Sequence, residues 1–204
     1  MGLYRDVVLP KLCDLTMRRK DLMPYRARVI GSAEGRVLEI GAGSGLNLKL
    51  YGPRVREVLA LEPDPKLMTM AKNNAKEARR PVAFIEASAE DIPLESGSVD
   101  TVVTTWTLCT IPDGIRALRE AKRILKPAGS LLFIEHGQSS EQNVRKWQNR
   151  VDPIWSRISG GCHLNRPIGR LIEQAGFRIE RLEHEYLPGP KMMGFLYEGR
   201  ALPN

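Results

Sequence analysis

Short apolar runs alternate with amphipathic stretches along most of this 204-residue chain, and that alternation constrains the fold more than any other feature. Buried strands of a parallel sheet are short and rich in Val, Ile and Leu, whereas helices carry apolar residues every three or four positions. Five strand-like runs come first and two follow near the end: 36–40, 58–61, 82–85, 101–104, 130–134, 177–182 and 193–199. Repeated strand–helix–strand units predict an α/β fold with a mainly parallel sheet, and the last two strands predict a hairpin at one edge.

Helix signals occupy the segments between these strands. Asp64 followed by Pro65 suits a helix cap and first turn, and Pro127 with Gly129 suits the end of another helix. The predicted helices are 66–79, 114–125 and 167–175, with one or two amphipathic helices in 3–30 that are interrupted at Pro10 and Pro24. A further amphipathic segment, 139–159, lies within a region, 136–165, that has no clear strand. The whole chain, 1–204, is predicted to be a single domain.

Composition and charge disfavour several classes of protein. An apolar fraction of 42% is ordinary for a globular domain, and no apolar run approaches the ~20 residues of a membrane span. The N-terminus has charges within its apolar stretch and no cleavage site, so we expect no secretory signal and a cytoplasmic protein. The net charge of +7 comes from scattered bases without an aromatic platform, which predicts a solvated surface and no nucleic-acid partner. An acidic substrate or peripheral contact with an anionic membrane stays open.

The cysteines are few and widely spaced. Cys13, Cys109 and Cys162 show no paired metal spacing. An odd, sparse set of this kind indicates neither a disulfide framework nor a zinc site. We therefore expect reduced cysteines and no metal.

The stretch from Val37 to Leu48, VLEIGAGSGLNL, ends a predicted strand with three glycines at alternate positions. In a parallel sheet such a turn lies at the edge where ligands bind, and glycine lets the backbone approach a ligand closely. Glu62 ends the second strand, 17 positions after Gly45, and a carboxylate there suits the two hydroxyls of a ribose.

The spacing within the turn discriminates between nucleotides. A dinucleotide turn has its third glycine three positions after the second, whereas here Gly45 follows Gly43 by two. Glu39, two positions before Gly41, would repel a phosphate and attract a cation. These features predict a ligand with an adenosine-like ribose and a positively charged amino-acid end, which is S-adenosylmethionine.

Four sequence motifs extend this prediction along the chain. VLEIGAGSG and VLALEPDPKLM resemble the first and second motifs of the class I S-adenosylmethionine-dependent methyltransferases. ASAEDIPLESGSVDTVVTTWTLCTIPD resembles their third and fourth motifs, and EAKRILKPAGSLLFIEHG the segment of the fifth strand. The resemblance covers essentially the whole chain. It implies a Rossmann-like class I methyltransferase fold: seven mostly parallel strands with a C-terminal antiparallel hairpin, flanked by helices.

The resemblance also implies a cofactor site at the strand ends. Glu39 and Gly41 would hold the methionine end, and Glu62 would bind the ribose. Ser88 stands where the family usually has an acid for the adenine amino group, and a hydroxyl accepts that hydrogen bond more weakly. The implied cofactor-binding residues are Glu39, Gly41, Gly43, Gly45, Asn47, Glu62, Pro63, Ser88, Ala89, Glu90 and Thr105.

A closer resemblance lies in the last quarter of the chain. GGCHLNRPIGRLIEQAGF and GFLYEGRA resemble the methyltransferase-like 7 group, membrane-associated animal enzymes that methylate small thiols, and its soluble bacterial relatives. The animal members carry an apolar N-terminal anchor, whereas charges interrupt the first 30 residues here. The resemblance implies S-methylation of a small thiol by a monomer or homodimer.

Candidate acceptor residues follow the fourth and fifth strands or lie before the last helix. We predict that Trp106, Cys109, His136 and His163 enclose the acceptor, covered by a helical lid (1–30) and an acceptor-site insertion (136–165). Further candidates are Thr105, Thr107, Glu135, Trp155, Cys162 and Arg166. Each has a structural alternative: Trp106 as a pocket wall, Cys109 as a small buried side chain, and His163 as a brace for the next helix.

Other functions stay open at this point. An amphipathic lipid or a quinone precursor would be an alternative acceptor, through N-, C- or O-methylation. A non-catalytic module that binds S-adenosylmethionine is a further alternative, although the intact set of Glu39, the three glycines and Glu62 disfavours it. The chain has TTWTLC where nucleic-acid methyltransferases have an Asn/Asp-Pro-Pro-aromatic motif, which argues against a nucleic-acid substrate.

Overall fold

The computed structural model describes Tyr4 and residues 8–204. Its seven strands are β1 Gly35–Ile40, β2 Val55–Leu61, β3 Val82–Ile85, β4 Val99–Thr105, β5 Leu125–His136, β6 Phe177–Tyr186 and β7 Phe195–Pro203. They form one sheet in the order β3-β2-β1-β4-β5-β7-β6. Strands β1 to β5 pair in parallel, and β7 pairs antiparallel with both β5 and β6. The predicted α/β fold with a C-terminal antiparallel hairpin is confirmed.

The helices over the described residues are α1 Leu9–Met17, α2 Met23–Gly31, α3 Pro65–Asn74, α4 Gly114–Ile124, α5 Gln142–Ile158, α6 Ile168–Gln174 and α7 Lys191–Gly194. Pro10 and Pro24 do not interrupt helices as predicted; each lies in a first turn, where the missing N–H loses no helical hydrogen bond. The part of the predicted region 3–30 that falls on Leu3 and on residues 5–7 lies outside the described residues. None of the helices described is both long and apolar enough to cross a bilayer.

Several predicted boundaries shift: β2 begins at Val55, β6 ends at Tyr186, and β5 begins at Leu125, so Pro127 and Gly129 lie in that strand rather than at the end of a helix. Helix α3 stops at Asn74, because a short 3₁₀ turn, Ala75–Glu77, replaces its predicted last turn. Strand β7 begins at Phe195 rather than Met193, because the four residues before it form α7.

Each face of the sheet has its own apolar layer. Leu38 packs with Leu118 of α4 on one face, whereas Val37 packs with Ile30 of α2 on the other. Successive side chains of a strand point to opposite faces, so Glu39 shares the face of Val37 and α2.

The register brings the carboxyl ends of four strands together. Ile40 of β1 pairs with Leu61 of β2 and Thr104 of β4, and Thr105 pairs with Ile134 of β5. The segments that follow these strands therefore meet along one edge of the sheet, where ligands bind in parallel α/β folds.

Candidate active site

A cavity of about 490 Å³ lies at this edge of the sheet. The turn after β1, the segments after β2, β3 and β4, and helix α1 bound it. Most of the residues predicted to bind the cofactor line the cavity, and so does Trp106: Gly41, Gly43, Asn47, Glu62, Pro63, Ser88, Ala89, Thr105 and Trp106. The other predicted cofactor-binding residues, Glu39, Gly45 and Glu90, do not line it.

The three glycines of the turn have positive φ angles but different surroundings. A Cβ on Gly41 would overlap the side chain of Thr107, and one on Gly45 would lie 3.0 Å from Ala71 Cα. A Cβ on Gly43 would meet only the carbonyl oxygen of Gly41, at 3.9 Å. Gly43 therefore leaves open space on the cavity side of the turn, whereas Gly41 and Gly45 allow close packing of protein on protein.

Glu62 is buried at the end of β2 and lines the cavity. Its Oε2 accepts a hydrogen bond from the backbone N–H of Gly43 at 2.8 Å, and its Oε1 accepts one from Asp64 N–H at 3.0 Å. Burial raises the pKa of this carboxyl, and the two backbone hydrogen bonds oppose that shift. The carboxylate thus joins the turn after β1 to the end of β2.

Glu39 does not line the cavity, but it contacts Asn47, which does. It is 1% exposed, its Oε1 accepts from Asn47 Nδ2 at 2.7 Å, and its Oε2 accepts from the Tyr51 hydroxyl at 2.8 Å. Burial raises the pKa of Glu39 to about 7, against the opposing effect of these hydrogen bonds. Asn47 Nδ2 also donates to Thr105 Oγ1 at 3.0 Å. Glu39 therefore fixes the orientation of Asn47, which lines the wall.

Sequence reasoning missed Arg26, a buried cation of α2 that lines the cavity. Its Nη1 donates to Asn47 Oδ1 at 2.6 Å, and its guanidinium lies 4.8 Å from the centre of the Trp106 ring. Its Nε is buried without a hydrogen-bond partner among the described residues, and burial lowers its pKa. Apolar Val29 and Ile30, three and four positions later, place Arg26 on the inner face of the helix, and that spacing was the available signal.

Trp106 follows β4 in a strained conformation. Its φ of 51° is the only positive value at a non-glycine residue in the described part of the chain. Its backbone N–H donates to Ile134 O at 2.8 Å, which holds it against the end of β5. Such conformations concentrate at functional sites, where the surrounding structure holds them. Here it places the indole in the cavity wall.

Ser88 and Ala89, predicted beside the adenine, lie on the cavity side of the segment after β3. Ser88 Oγ donates to Glu90 Oε2 at 3.3 Å. Glu90 Oε1 accepts from the backbone N–H of Asp113 at 2.6 Å, next to the start of α4. Glu90 thus joins two loops.

Helix α1 closes one side of the cavity. Ser44 of the glycine turn donates a hydrogen bond to Asp14 of α1, and the hydroxyl of Tyr4 donates to Ile158 O, the last residue of α5, at 2.6 Å. Leu9 of α1 packs against Gly160, so closely that a Cβ at position 160 would lie only 2.6 Å from Leu9 Cδ2. The N-terminal segment is thereby tied both to the glycine turn and to the end of α5.

Three of the four predicted acceptor residues do not line the cavity. Cys109 and His136 form a cluster with Cys162: His136 Nε2 lies 3.0 Å from Cys162 Sγ, and the two sulfurs are 3.7 Å apart. The hydrogen bond with Cys109, together with burial, raises the pKa of the Cys162 thiol well above its usual range. His163 Nδ1 pairs with Asp152 Oδ2 of α5 at 2.8 Å. The acceptor role of these residues stays a prediction.

Two of the further candidates, Glu135 and Arg166, brace loops. The buried carboxylate of Glu135 accepts hydrogen bonds from the backbone N–H groups of Thr107 and Leu108, and burial raises its pKa to about 7. Arg166 donates hydrogen bonds to Leu108 O at 2.6 Å and to Ile111 O. Both residues thus hold the segment that follows β4.

Comparison with known proteins identifies the family of the chain. Residues 38–133 match the family model of a methyltransferase domain. Thiol S-methyltransferase TMT1B of Homo sapiens is 36% identical over 203 residues, which are 92% of this chain and 82% of that protein. The ubiquinone/menaquinone biosynthesis C-methyltransferase UbiE of Bartonella tribocorum is 26% identical over 168 residues, 79% of this chain and 61% of that protein.

A crystal structure of a SAM-dependent methyltransferase from Thermotoga maritima has the same fold, with a TM-score of 0.69 at 21% identity over 99% of this chain and 98% of that one. The chain belongs to the class I S-adenosylmethionine-dependent methyltransferases and is close to the thiol S-methyltransferases among them.

Proposed function

We propose that this enzyme S-methylates a small thiol. One observation carries the proposal: 36% identity to a human thiol S-methyltransferase extends over 92% of the chain. The similarity therefore includes the segments around the acceptor side as well as the cofactor motifs. The methyl acceptor must enter the same cavity, whose wall includes Trp106 and residues of α1 besides the glycine turn and Glu62.

The residues of the cavity fit S-adenosylmethionine. Gly43 leaves space against the backbone, and Glu62 presents a carboxylate that suits two ribose hydroxyls. We assign Arg26 to the cofactor's carboxylate, because it is a cation in the cavity wall beside Asn47. Asn47, oriented by Glu39, completes the methionine end, and Ser88 and Ala89 lie where the adenine is expected. When bound, this cofactor supplies a methyl group on a positively charged sulfur.

The acceptor side of the cavity offers little general-base chemistry. Its walls include the apolar side chains of Leu9, Met17, Trp106, Ile111 and Pro112. None of the described residues that line it is a histidine, lysine or tyrosine. A thiol ionises near neutral pH without help, whereas an alcohol needs a strong base. A largely apolar wall without histidine, lysine or tyrosine suits a small, apolar thiol, which needs no strong base.

We further propose that the single domain 1–204 uses residues 1–30 as a lid and 136–165 as an acceptor-site insertion. The hydrogen bond between Ser44 and Asp14 ties α1 to the glycine turn, and Tyr4 ties the N-terminal segment to the end of α5. Entry of the acceptor then requires these two contacts to open, and their closure excludes water from the reaction.

The proposal is tested with matched acceptors. Purified enzyme is incubated with labelled cofactor and with aliphatic and aromatic thiols, each paired with the amine and the alcohol or phenol of the same skeleton. We expect methylation of thiols only, with a rate that rises with pH through each thiol's own pKa. Methylation of an amine or a phenol, with every thiol left unreacted, would exclude the thiol proposal and leave the methyltransferase assignment unaffected.

A quinone or lipid acceptor is the second candidate, since the chain is 26% identical to a quinone C-methyltransferase. Carbon methylation requires a base to remove the ring proton after or during transfer. The same acceptor panel, extended with a short-chain quinol, decides between the two: C-methylation of the quinol without thiol methylation favours the second candidate.

A further inference from the structure

A buried cluster of three metal-ligand side chains lies outside the cavity. Cys109 is buried, His136 and Cys162 are half-buried, and their ligand atoms all lie within 4.8 Å of one another. His136 Nε2 lies 3.0 Å from Cys162 Sγ, and Cys162 Sγ lies 3.7 Å from Cys109 Sγ. The methyltransferase assignment does not account for this cluster.

These spacings resemble the edges of a tetrahedral coordination shell. With Zn–S bonds of about 2.3 Å and Zn–N bonds of about 2.0 Å, two sulfurs lie about 3.8 Å apart and a sulfur and a nitrogen about 3.5 Å apart. The observed sulfur–sulfur distance of 3.7 Å is already close to that edge. The distance of 3.0 Å between His136 Nε2 and Cys162 Sγ is about half an ångström shorter than its edge, and no two of the three ligand atoms lie more than 4.8 Å apart.

The cluster joins three segments that are distant in sequence. Cys109 lies between β4 and α4, His136 ends β5, and Cys162 lies between α5 and α6. Cys109 Sγ lies 3.6 Å from Trp106 O and 3.5 Å from Thr110 Oγ1, and both of these residues line the cavity. A metal held here would therefore fix the relative positions of the segments behind the acceptor wall.

A divalent ion would bring the cysteines of the cluster into the thiolate form. Two thiolates and a neutral imidazole balance the charge of such an ion. Glu135 and Asp152, the acidic groups that face the same region, are both engaged with backbone N–H groups, Thr107 and Leu108 in one case and Leu164 in the other.

We propose that Cys109, His136 and Cys162 bind one zinc-class divalent ion, Zn²⁺ or a similar soft transition metal, with a fourth position for water or another ligand. The site does not depend on which acceptor the enzyme methylates. Binding releases the two thiol protons to solvent and involves no change of oxidation state. The presence of the imidazole favours a metal site over a disulfide, because a disulfide would use only the two cysteines.

Cobalt(II) gives the first test, because thiolate-bound Co²⁺ absorbs strongly in the near ultraviolet. The reduced, metal-free protein is titrated with Co²⁺, and we expect a charge-transfer band that saturates at one ion per chain and is removed by Zn²⁺. Loss of outer-sphere partners alone weakens metal sites about 10–100-fold, so Cys109→Ser and Cys162→Ser are each expected to weaken binding at least about 100-fold. Cys13→Ser, which changes the third cysteine, should leave the titration as it is in the parent protein. Circular dichroism confirms that each variant is folded.

X-ray absorption of the zinc-loaded parent protein gives a second test that needs no variant. We expect two sulfur ligands at about 2.3 Å and lighter ligands at about 2.0–2.1 Å. A zinc shell without sulfur, a Co²⁺ band that persists in both cluster variants, or the absence of any thiolate band in the parent protein would overturn the proposal.

Discussion

The two sides of the cavity are built in different ways. On the cofactor side, the turn after β1 and the end of β2 meet because their strands are neighbours, and Glu62 binds Gly43 directly. On the acceptor side, α1, the segment after β4 and the end of α5 meet through contacts between distant parts of the chain, such as Tyr4 with Ile158. The first side rests on backbone geometry, whereas the second rests on side chains. Substitutions should therefore act locally and strongly on the first, and more weakly on the second.

The largest effect is expected at Gly43. Asn tolerates positive φ better than most residues, so Gly43→Asn keeps the backbone while its side chain enters the open space of the cavity. We expect calorimetry to show S-adenosylmethionine binding weakened by more than about 100-fold, or about 2.7 kcal/mol. Gly97→Asn is the matched control: Gly97 has φ +64 and open space, but it does not line the cavity. Equal cofactor affinity in the two variants would contradict the placement of the turn.

Glu62→Ala is expected to act next most strongly. It removes the carboxylate proposed for the ribose and the partner of the Gly43 N–H. Charge-assisted hydrogen bonds of this kind contribute about 1–3 kcal/mol, so the dissociation constant should rise about 10–100-fold. Glu57→Ala, a half-buried acid elsewhere on β2, serves as the control for affinity. Unaltered affinity in Glu62→Ala would remove this residue from the cofactor site.

Arg26→Met tests which end of the cofactor Arg26 contacts. Since Arg26 is assigned to the carboxylate, the affinity for S-adenosylmethionine should fall about 10-fold, about 1.4 kcal/mol. The affinity for methylthioadenosine, which lacks the amino-acid end, should stay unchanged. Arg28→Met changes an arginine of the same helix that pairs with Glu198 instead, and it should affect neither ligand. An equal loss for both ligands would show that Arg26 acts only by holding Asn47 and Trp106 in place.

The sheet and most residues of the cavity wall near the glycine turn could be located from the sequence because their signals are local. Glu39, the three glycines and Asn47 lie within one stretch of nine residues, and strand pairing alone brings Glu62 to them. Arg26 escaped prediction because its role comes from α2 packing against this stretch, although its apolar neighbours at three and four positions marked it as buried.

The acceptor side was less predictable because its contacts join distant residues. Cys109 and Cys162 are 53 positions apart, so the sequence shows no metal-ligand spacing. They meet His136 only because the fold brings together the loop after β4, the end of β5 and the loop after α5. His136 is the last residue of β5, and the hydrogen bond with Cys162 holds its ring behind the cavity wall rather than in it. Which way a side chain points after a strand depends on partners that the strand itself does not specify.

The smallest effect is expected at His163. Two substitutions there distinguish a structural role from contact with the acceptor. The imidazole Nδ1 pairs with the buried carboxylate of Asp152, so His163→Ala should lower the free energy of unfolding by about 1 kcal/mol. His163→Asn places an amide N–H near the same position and should restore that stability, as measured by urea unfolding. Neither change should alter cofactor affinity. If Asn restores stability and the rate of thiol methylation together, His163 braces α5 and the loop before α6; if the rate stays low in a fully stable Asn variant, the imidazole itself contacts the acceptor.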